Sequence, residues 1–447
     1  MASSEPPPGP GTAPHGADRY SFLPGNVPLA VERTEGNHIV TADGRRILDA
    51  GGGAVVTNIG HGRREVAEAA AASLAGRDYV LPPWLTPERA ALTDRVLDRW
   101  LPEGLSRATF VSGGSESTDS ALRLARAHHV AAGRSSKWKV IGRWPSYHGM
   151  TLATLAAGGH RNRRRGYEPT LLPFAHVAWD DPAAVEAMIL AEGPEQVAAF
   201  IAEPVIGAAG GALVAPDGYF GEVADICRRH DVLLIVDEVM CGFGRCGTRF
   251  AIEQWGVTPD VLVAGKGLSG GYAALGGVYA TEAVVAPIAE ADLPFMFFTY
   301  GAQSSACAAA DVVLRILEDE DLVARAAKMG DLLVERLSSE LADHDHVAAV
   351  RGRGLMVGIE LVAGRDPHRW YPAGARFTER VVAEALARDV WVYPAGGGDP
   401  IADALLLGPP FTITEAEIDQ LATVVRASVD AAAQAVARDG SDPGPTG

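Results

Sequence analysis

The chain has 447 residues, 39 Lys+Arg against 56 Asp+Glu, and a formal net charge of −17. That balance excludes a nucleic-acid binder with a broad basic face and a polybasic membrane anchor, because both need a positive field. The hydrophobic fraction is 47% and the charged fraction 21%, ordinary globular values, and no apolar run approaches the ~20 residues of a membrane helix.

Residues 1–18 are rich in Pro, Gly and Ser and lack a basic n-region and an apolar h-region. They predict a disordered leader rather than a secretory signal, with the cytoplasm as the default address. Residues 19–62 form an N-terminal segment with strand signals over 30–48 and a turn at Ala42-Asp43-Gly44. This segment is expected to pack on one of the two domains that follow. Residues 63–314 alternate short apolar runs with amphipathic stretches. The predicted strands are 108–111, 139–143, 176–179, 198–203, 233–237, 261–264 and 276–280, with helices over 115–129 and 219–230. Such alternation predicts an α/β domain, a mainly parallel sheet with helices on both faces. Residues 315–438 read as a smaller α+β domain: one or two helices over 318–341, a strand over 354–361, and helices over 375–389 and 415–437. Residues 439–447 read as a disordered tail. The four cysteines, 227, 241, 246 and 307, are too sparse for a disulfide framework. Cys241-x4-Cys246 has no second ligand pair, so no metal site is predicted.

Lysine is scarce: it stands only at 137, 139, 266 and 328. In a chain that uses arginine elsewhere, lysine marks positions where a neutral amine is needed, because arginine does not deprotonate. Lys137 and Lys139 flank a strand start, and Lys328 lies on a helix. Lys266 follows the apolar strand at 261–264 and precedes Gly267-Leu268-Ser269-Gly270-Gly271. The end of a parallel strand is where α/β folds bind ligands. Asp237 closes the apolar run 233–237. A carboxylate there needs a cationic partner, either a structural ion pair or a ligand cation. The loop Ser112-Gly113-Gly114-Ser115 precedes an amphipathic helix, which suits phosphate binding or an ordinary helix cap. It matches neither a dinucleotide fingerprint nor a P-loop. Together with the ring of Tyr147, an amine, a carboxylate and a phosphate cradle suggest pyridoxal 5′-phosphate.

These residues resemble the class III pyridoxal-phosphate aminotransferases of fold type I, nearest the omega-transaminase branch. The resemblance spans about residues 49–421. It is carried by Gly60-His61-Gly62, Ser112-Gly113-Gly114-Ser115, Tyr147-His148-Gly149, Glu203-Pro204, Asp237-Glu238-Val239, Gly242-Phe243-Gly244-Arg245, Lys266, Thr299-Tyr300-Gly301 and Pro409-Pro410. It implies a large domain with a seven-stranded, mainly parallel sheet and a smaller α+β domain. It also implies Lys266 as the Schiff-base lysine and proton shuttle, and Asp237 as the partner of the pyridine nitrogen. Cofactor contacts are implied at Gly114, Ser115, Tyr147, His148, Glu203, Asp237, Val239, Lys266 and Thr299. Thr299 would reach the phosphate of a neighbouring subunit, making a homodimer with shared sites.

The chain also departs from the family pattern. Leu406 stands where many members carry a carboxylate-binding arginine. Asp399 stands near the mobile arginine of the omega branch, and Ala208 replaces a glutamate that pairs with the first arginine. Substrate contacts are therefore sought at Trp84, Arg161 and Arg163, with Arg143 and Arg353 as other replacements for the lost charge. The function implied is amino transfer from a primary or ω-amine, or an amino-acid-like donor, to a carbonyl acceptor, in specialised metabolism. The alternative is a non-transaminating reaction on the same fold: an aminomutase, racemase, decarboxylase or carbon–carbon bond-forming enzyme.

Overall fold

The apolar runs of the central chain assemble into one seven-stranded sheet. The computed structural model describes residues 29–294 and 297–439. The predicted leader, residues 19–28 and the tail beyond Asp439 lie outside the described residues. Across the sheet the strand order is Leu105–Val111, Gly276–Thr281, Val261–Ala264, Leu233–Asp237, Val197–Ala202, Lys139–Trp144 and Ala175–Ala178. Gly276–Thr281 is antiparallel to both neighbours, and the other pairings are parallel.

The three central strands, Val197–Ala202, Leu233–Asp237 and Val261–Ala264, are buried at every residue. Continuous aliphatic sequence is what a strand covered on both faces requires. Successive side chains then serve opposite cores. Ile201, Ile235 and Val263 pack with Ala121 and Ala125 of helix Gly114–Ala131. Phe200, Leu234 and Leu262 pack on the other face with Phe220 and Ile226 of helix Tyr219–Arg229.

The C-terminal part forms a four-stranded antiparallel sheet in the order Val347–Arg353, Met356–Leu361, Ala404–Leu407, Tyr393–Ala395. Helices Leu322–Glu340, Phe377–Ala387 and Glu415–Arg438 accompany it. The last begins with a capping box: Thr414 Oγ1 accepts from Glu417 N–H at 3.2 Å, and Thr414 N–H donates to Glu417 Oε2 at 2.8 Å, satisfying two end groups reciprocally. The strand expected over 354–361 begins at Met356 because Gly354, at φ +51°, makes the hairpin turn. A Cβ there would meet the Cys246 carbonyl carbon at 2.5 Å.

The helical stretch over 318–341 resolves into two helices, Ser304–Asp319 and Leu322–Glu340. They break where Asp321 turns left-handed at φ +48°. The expected domain junction at 314–315 lies inside the first of them. In the N-terminal segment, Val31–Glu35, His38–Thr41 and Arg46–Asp49 form an antiparallel meander. Val390–Trp391 joins it in parallel beside Arg46–Asp49, so this segment shares a sheet with the C-terminal part.

Candidate active site

Five parallel strands deliver their C-terminal ends to one cleft. It is lined by Gly114, Ser115, Tyr147, His148, Gly149, Glu203, Asp237, Val239, Met240 and Lys266. Each lies at or just beyond the end of a parallel strand or at the helix start that follows one, the expected place for an α/β ligand site.

Asp237 ends the central strand, 3% exposed. Its Oδ1 accepts from Val239 N–H at 3.0 Å, and its Oδ2 lies 2.7 Å from His148 Nδ1. His148 is itself buried, and among the described residues its Nε2 has no hydrogen-bond partner. Glu203, also buried, accepts from Tyr147 N–H at 2.8 Å through Oε1. Burial pushes its carboxyl up to about 7, and the neighbouring Asp237 pushes the same way against the opposing pull of His148.

Lys266 opens a short turn at φ +36°, a left-handed conformation rare for a residue with a Cβ and common at functional sites. Desolvation lowers its amine to about 8, although Asp237 and Glu203 both favour the charged form. At that value a sizeable fraction of the amine is neutral near pH 7 to 8.

Helix Gly114–Ala131 starts at the same cleft without a side-chain cap. Its leading N–H groups have no partners within the helix and favour an anion. Gly114 is required there, because a Cβ would approach Val239 Cγ1 to 2.7 Å. The helix is fixed against the lysine strand by Ser117 Oγ, which donates to the Ala264 carbonyl at 2.9 Å.

The profile of the family "Aminotransferase class-III" matches residues 22–429. The chain belongs to the class III aminotransferases. The aminotransferase is 32% identical to the putrescine–pyruvate aminotransferase of Pseudomonas aeruginosa over 429 residues, 91% of each chain. It superposes on an (S)-enantioselective omega-transaminase from Thermomicrobium roseum with a TM-score of 0.86, at 35% identity over 91% of this chain and 93% of that one. The omega transaminase of Pseudomonas jessenii in complex with PMP gives a TM-score of 0.88 at 28% identity, covering 95% of this chain and 99% of that one. Fold type I and amino transfer thus stand as the resemblance implied, and nothing favours the non-transaminating alternative.

Of the sequence candidates, Gly114, Ser115, Tyr147, His148, Glu203, Asp237, Val239 and Lys266 come together in the aminotransferase cleft. Thr299 does not line it. It is exposed, and its carbonyl accepts from the Tyr79 hydroxyl at 3.2 Å. Trp84, 64% exposed, also lies off the cleft. Arg143 is not a substrate residue. Its guanidinium is fully buried, donating to the Trp179 carbonyl at 3.1 Å and to the Glu203 carbonyl, with its charge 5.5 Å from the Tyr219 ring centre. Arg353 is exposed at the end of the C-terminal hairpin strand. Sequence reasoning missed Met240 as a cleft residue; its place three residues after the strand-end Asp237 was the available signal.

Of the departures from the family pattern, Leu406 and Ala208 are packed, while Asp399 is exposed. Leu406 is 0% exposed and Ala208 3% exposed, and both belong to one apolar cluster with Val55, Met240 and Cys241. The four cysteines are free and buried. Among the described residues no helix is long and apolar enough to cross a membrane.

Proposed function

We propose that this aminotransferase holds pyridoxal 5′-phosphate in the cleft and moves an amino group from a primary or ω-amine to a keto acid such as pyruvate. The observation that carries the reading is a neutral-leaning amine, Lys266, in one cleft with a buried carboxylate, Asp237, and an uncapped helix N-terminus. A buried carboxylate that, among the described residues, is paired with His148 and with no arginine or lysine suits a protonated ring nitrogen. The uncapped amides at Gly114 and Ser115 suit a phosphate dianion, and Tyr147 and Val239 suit the two faces of an aromatic ring.

When bound, the group supplies an electrophilic carbonyl and an electron sink for the substrate Cα. The chain does the rest. With the group bound, Lys266 Nζ, desolvated to about 8, would serve as the amine that holds its carbonyl and as the base for the substrate Cα proton. Asp237, oriented by Val239 N–H and His148, would hold the proton on the ring nitrogen. Glu203 fixes the Tyr147 backbone. Thr299 and Trp84, exposed and off the cleft of their own chain, fit contacts to a neighbouring copy, as in a homodimer with shared sites. Cytoplasmic residence and a two-domain division, its junction moved from 314–315 to the end of the helix Ser304–Asp319, complete the reading.

Two measurements test it. Borohydride reduction of the loaded protein followed by peptide mass spectrometry should locate the adduct on Lys266. Incubation with putrescine and pyruvate should yield alanine and aldehyde in equal amounts. An adduct on another residue removes the Lys266 assignment, and amine consumption without alanine across a panel of primary amines removes the pyruvate-dependent reaction.

A further inference from the structure

The turn Arg161–Arg164 packs against the loop that carries Asp399. Asn162 N–H donates to the Gly397 carbonyl at 3.4 Å, and Arg161 lies 3.9 Å from Asp399. The same loop reaches Ala208, whose carbonyl accepts from Gly396 N–H at 3.0 Å. Asp399 and Ala208 are two of the positions at which the sequence lacks its family's arginine and glutamate. The basic turn therefore borders the place where a positive charge is missing.

Its arginines are not equivalent. Arg164 donates to the carbonyls of Leu155, Ala156 and Gly158 at 2.7, 2.8 and 2.9 Å, which fixes it as a structural clamp. Arg161 stacks 4.5 Å from the Trp144 ring centre and faces Asp399. Arg163 turns instead to the back of the cleft residue Tyr147, its guanidinium carbon 4.5 Å from that ring centre, and lines the neighbouring groove rather than the cleft itself. Among the described residues no carboxylate is within ion-pair distance of it. Arg163 opens onto a groove also lined by Ala208 and Pro394. The two carboxylates of that groove are engaged: Glu379 lies 3.6 Å from Arg376, and Asp403 accepts from Thr378 Oγ1 at 2.7 Å.

We propose that Arg163 is the residue by which this aminotransferase recognises the carboxylate or sulfonate of its substrate, the charge having moved from the Asp399 loop to the facing turn. This rests on the amino-transfer reading above. A guanidinium that rests on an aromatic face and gives one hydrogen bond to the Tyr147 hydroxyl retains further donors for contact with a planar anion. The Tyr147 ring fixes its plane, which lowers the ordering cost of that contact. Arg163 is thus a specificity residue, reading the part of the substrate that does not react.

The test compares holoenzymes of the wild type, Arg163→Gln, Arg163→Lys and Arg165→Ala, with pyruvate and with propanal as acceptors for one amine. The readout is the ratio of kcat/KM for pyruvate to that for propanal. Arg163→Gln should lower it about 10- to 100-fold, the scale of one lost charged hydrogen-bond pair, chiefly through KM. Arg163→Lys, which keeps charge but not the fork, should fall between, and also serves if the glutamine variant fails to fold. Arg165→Ala should stay within about twofold, as an exposed charge outside the contact. Calorimetric binding of propionate should weaken in parallel. A ratio that moves less than about threefold in both Arg163 variants, or an equal fall in Arg165→Ala, overturns the proposal. If the wild type transfers to neither acceptor, the amino-transfer reading has failed instead. Propionate binding unaltered in Arg163→Gln then overturns the Arg163 assignment separately.

Discussion

The cleft and the groove beside it are built on different rules. In the cleft, Asp237, His148 and Glu203 are at most 4% exposed and hydrogen-bonded to one another's neighbourhoods. Each sits at or a few residues beyond the end of a parallel strand, so its position is set by the sheet. At the groove, the turn Arg161–Arg164 and the Asp399 loop meet through one long backbone hydrogen bond and an exposed ion pair. Contacts of that kind contribute little to stability. The comparison teaches where variation is cheap: the reacting groups are tied to the core, while the groups that choose a substrate stand on loops that can change without disturbing it.

Substitutions in the cleft and in the layer around it should separate accordingly. The largest effect is expected from Lys266→Ala: turnover falls at least about 10⁴-fold, the upper range for a general base, while the far-UV spectrum and thermal midpoint stay near wild type. Residual activity within about a hundredfold would place the proton transfer elsewhere. Restoring the family arginine tests the packed layer beneath the cleft. Leu406→Arg alone should cost about 3–5 kcal/mol, because it buries an unpaired charge, and adding Ala208→Glu should recover part of it. Urea unfolding of the single and double variants measures this, and a single variant as stable as wild type would mean the layer is not closed to charge.

Asp237→Asn should retain cofactor but lose about 10²- to 10³-fold in kcat, the scale of one preorganised electrostatic group. A loss under about tenfold, or ~1.4 kcal/mol, would assign the ring proton to another residue. Gly114→Ala should be milder. Its Cβ would press on Val239, so an overpacking cost of about 1–3 kcal/mol is expected, read as weaker pyridoxal-phosphate binding by equilibrium dialysis.

The effect spread over the widest range of conditions is a pH dependence. Glu203 has a folded-state value of about 7, above the ordinary 4.5. The folded protein therefore holds an extra proton between these values. The stability it confers is full below about pH 4.5 and is lost as pH rises through about 7. The cofactor-free protein should lose thermal midpoint across that window more steeply than Glu203→Gln. Parallel slopes would show that Glu203 is ionised throughout.

The sequence by itself carried the strands and the reacting groups. Aliphatic runs at 233–237 and 261–264 predict buried strands with the bounds observed, because strand pattern is a local property. Lys266 and Asp237 were legible because polar residues at the ends of such runs need a reason to be there. Lysine scarcity alone was an incomplete guide. Lys137 is also buried, but its Nζ donates to the carbonyls of Pro194, Val197, His230 and Asp231 at 2.7–3.1 Å. Its amine joins three chain segments and performs no chemistry in the cleft.

Arginine shows the same limit. Arg143 and Arg163 lie twenty positions apart near family motifs, and nothing in their flanking residues separates them. One is sealed under the sheet by the Trp179 and Glu203 carbonyls, and the other rests on Tyr147 beside an open groove. Periodicity fixes which face of its own element a side chain takes. Its final partner depends on segments brought up from far along the chain, such as the Gly397 loop against Asn162, and those contacts exist only after the tertiary structure has formed.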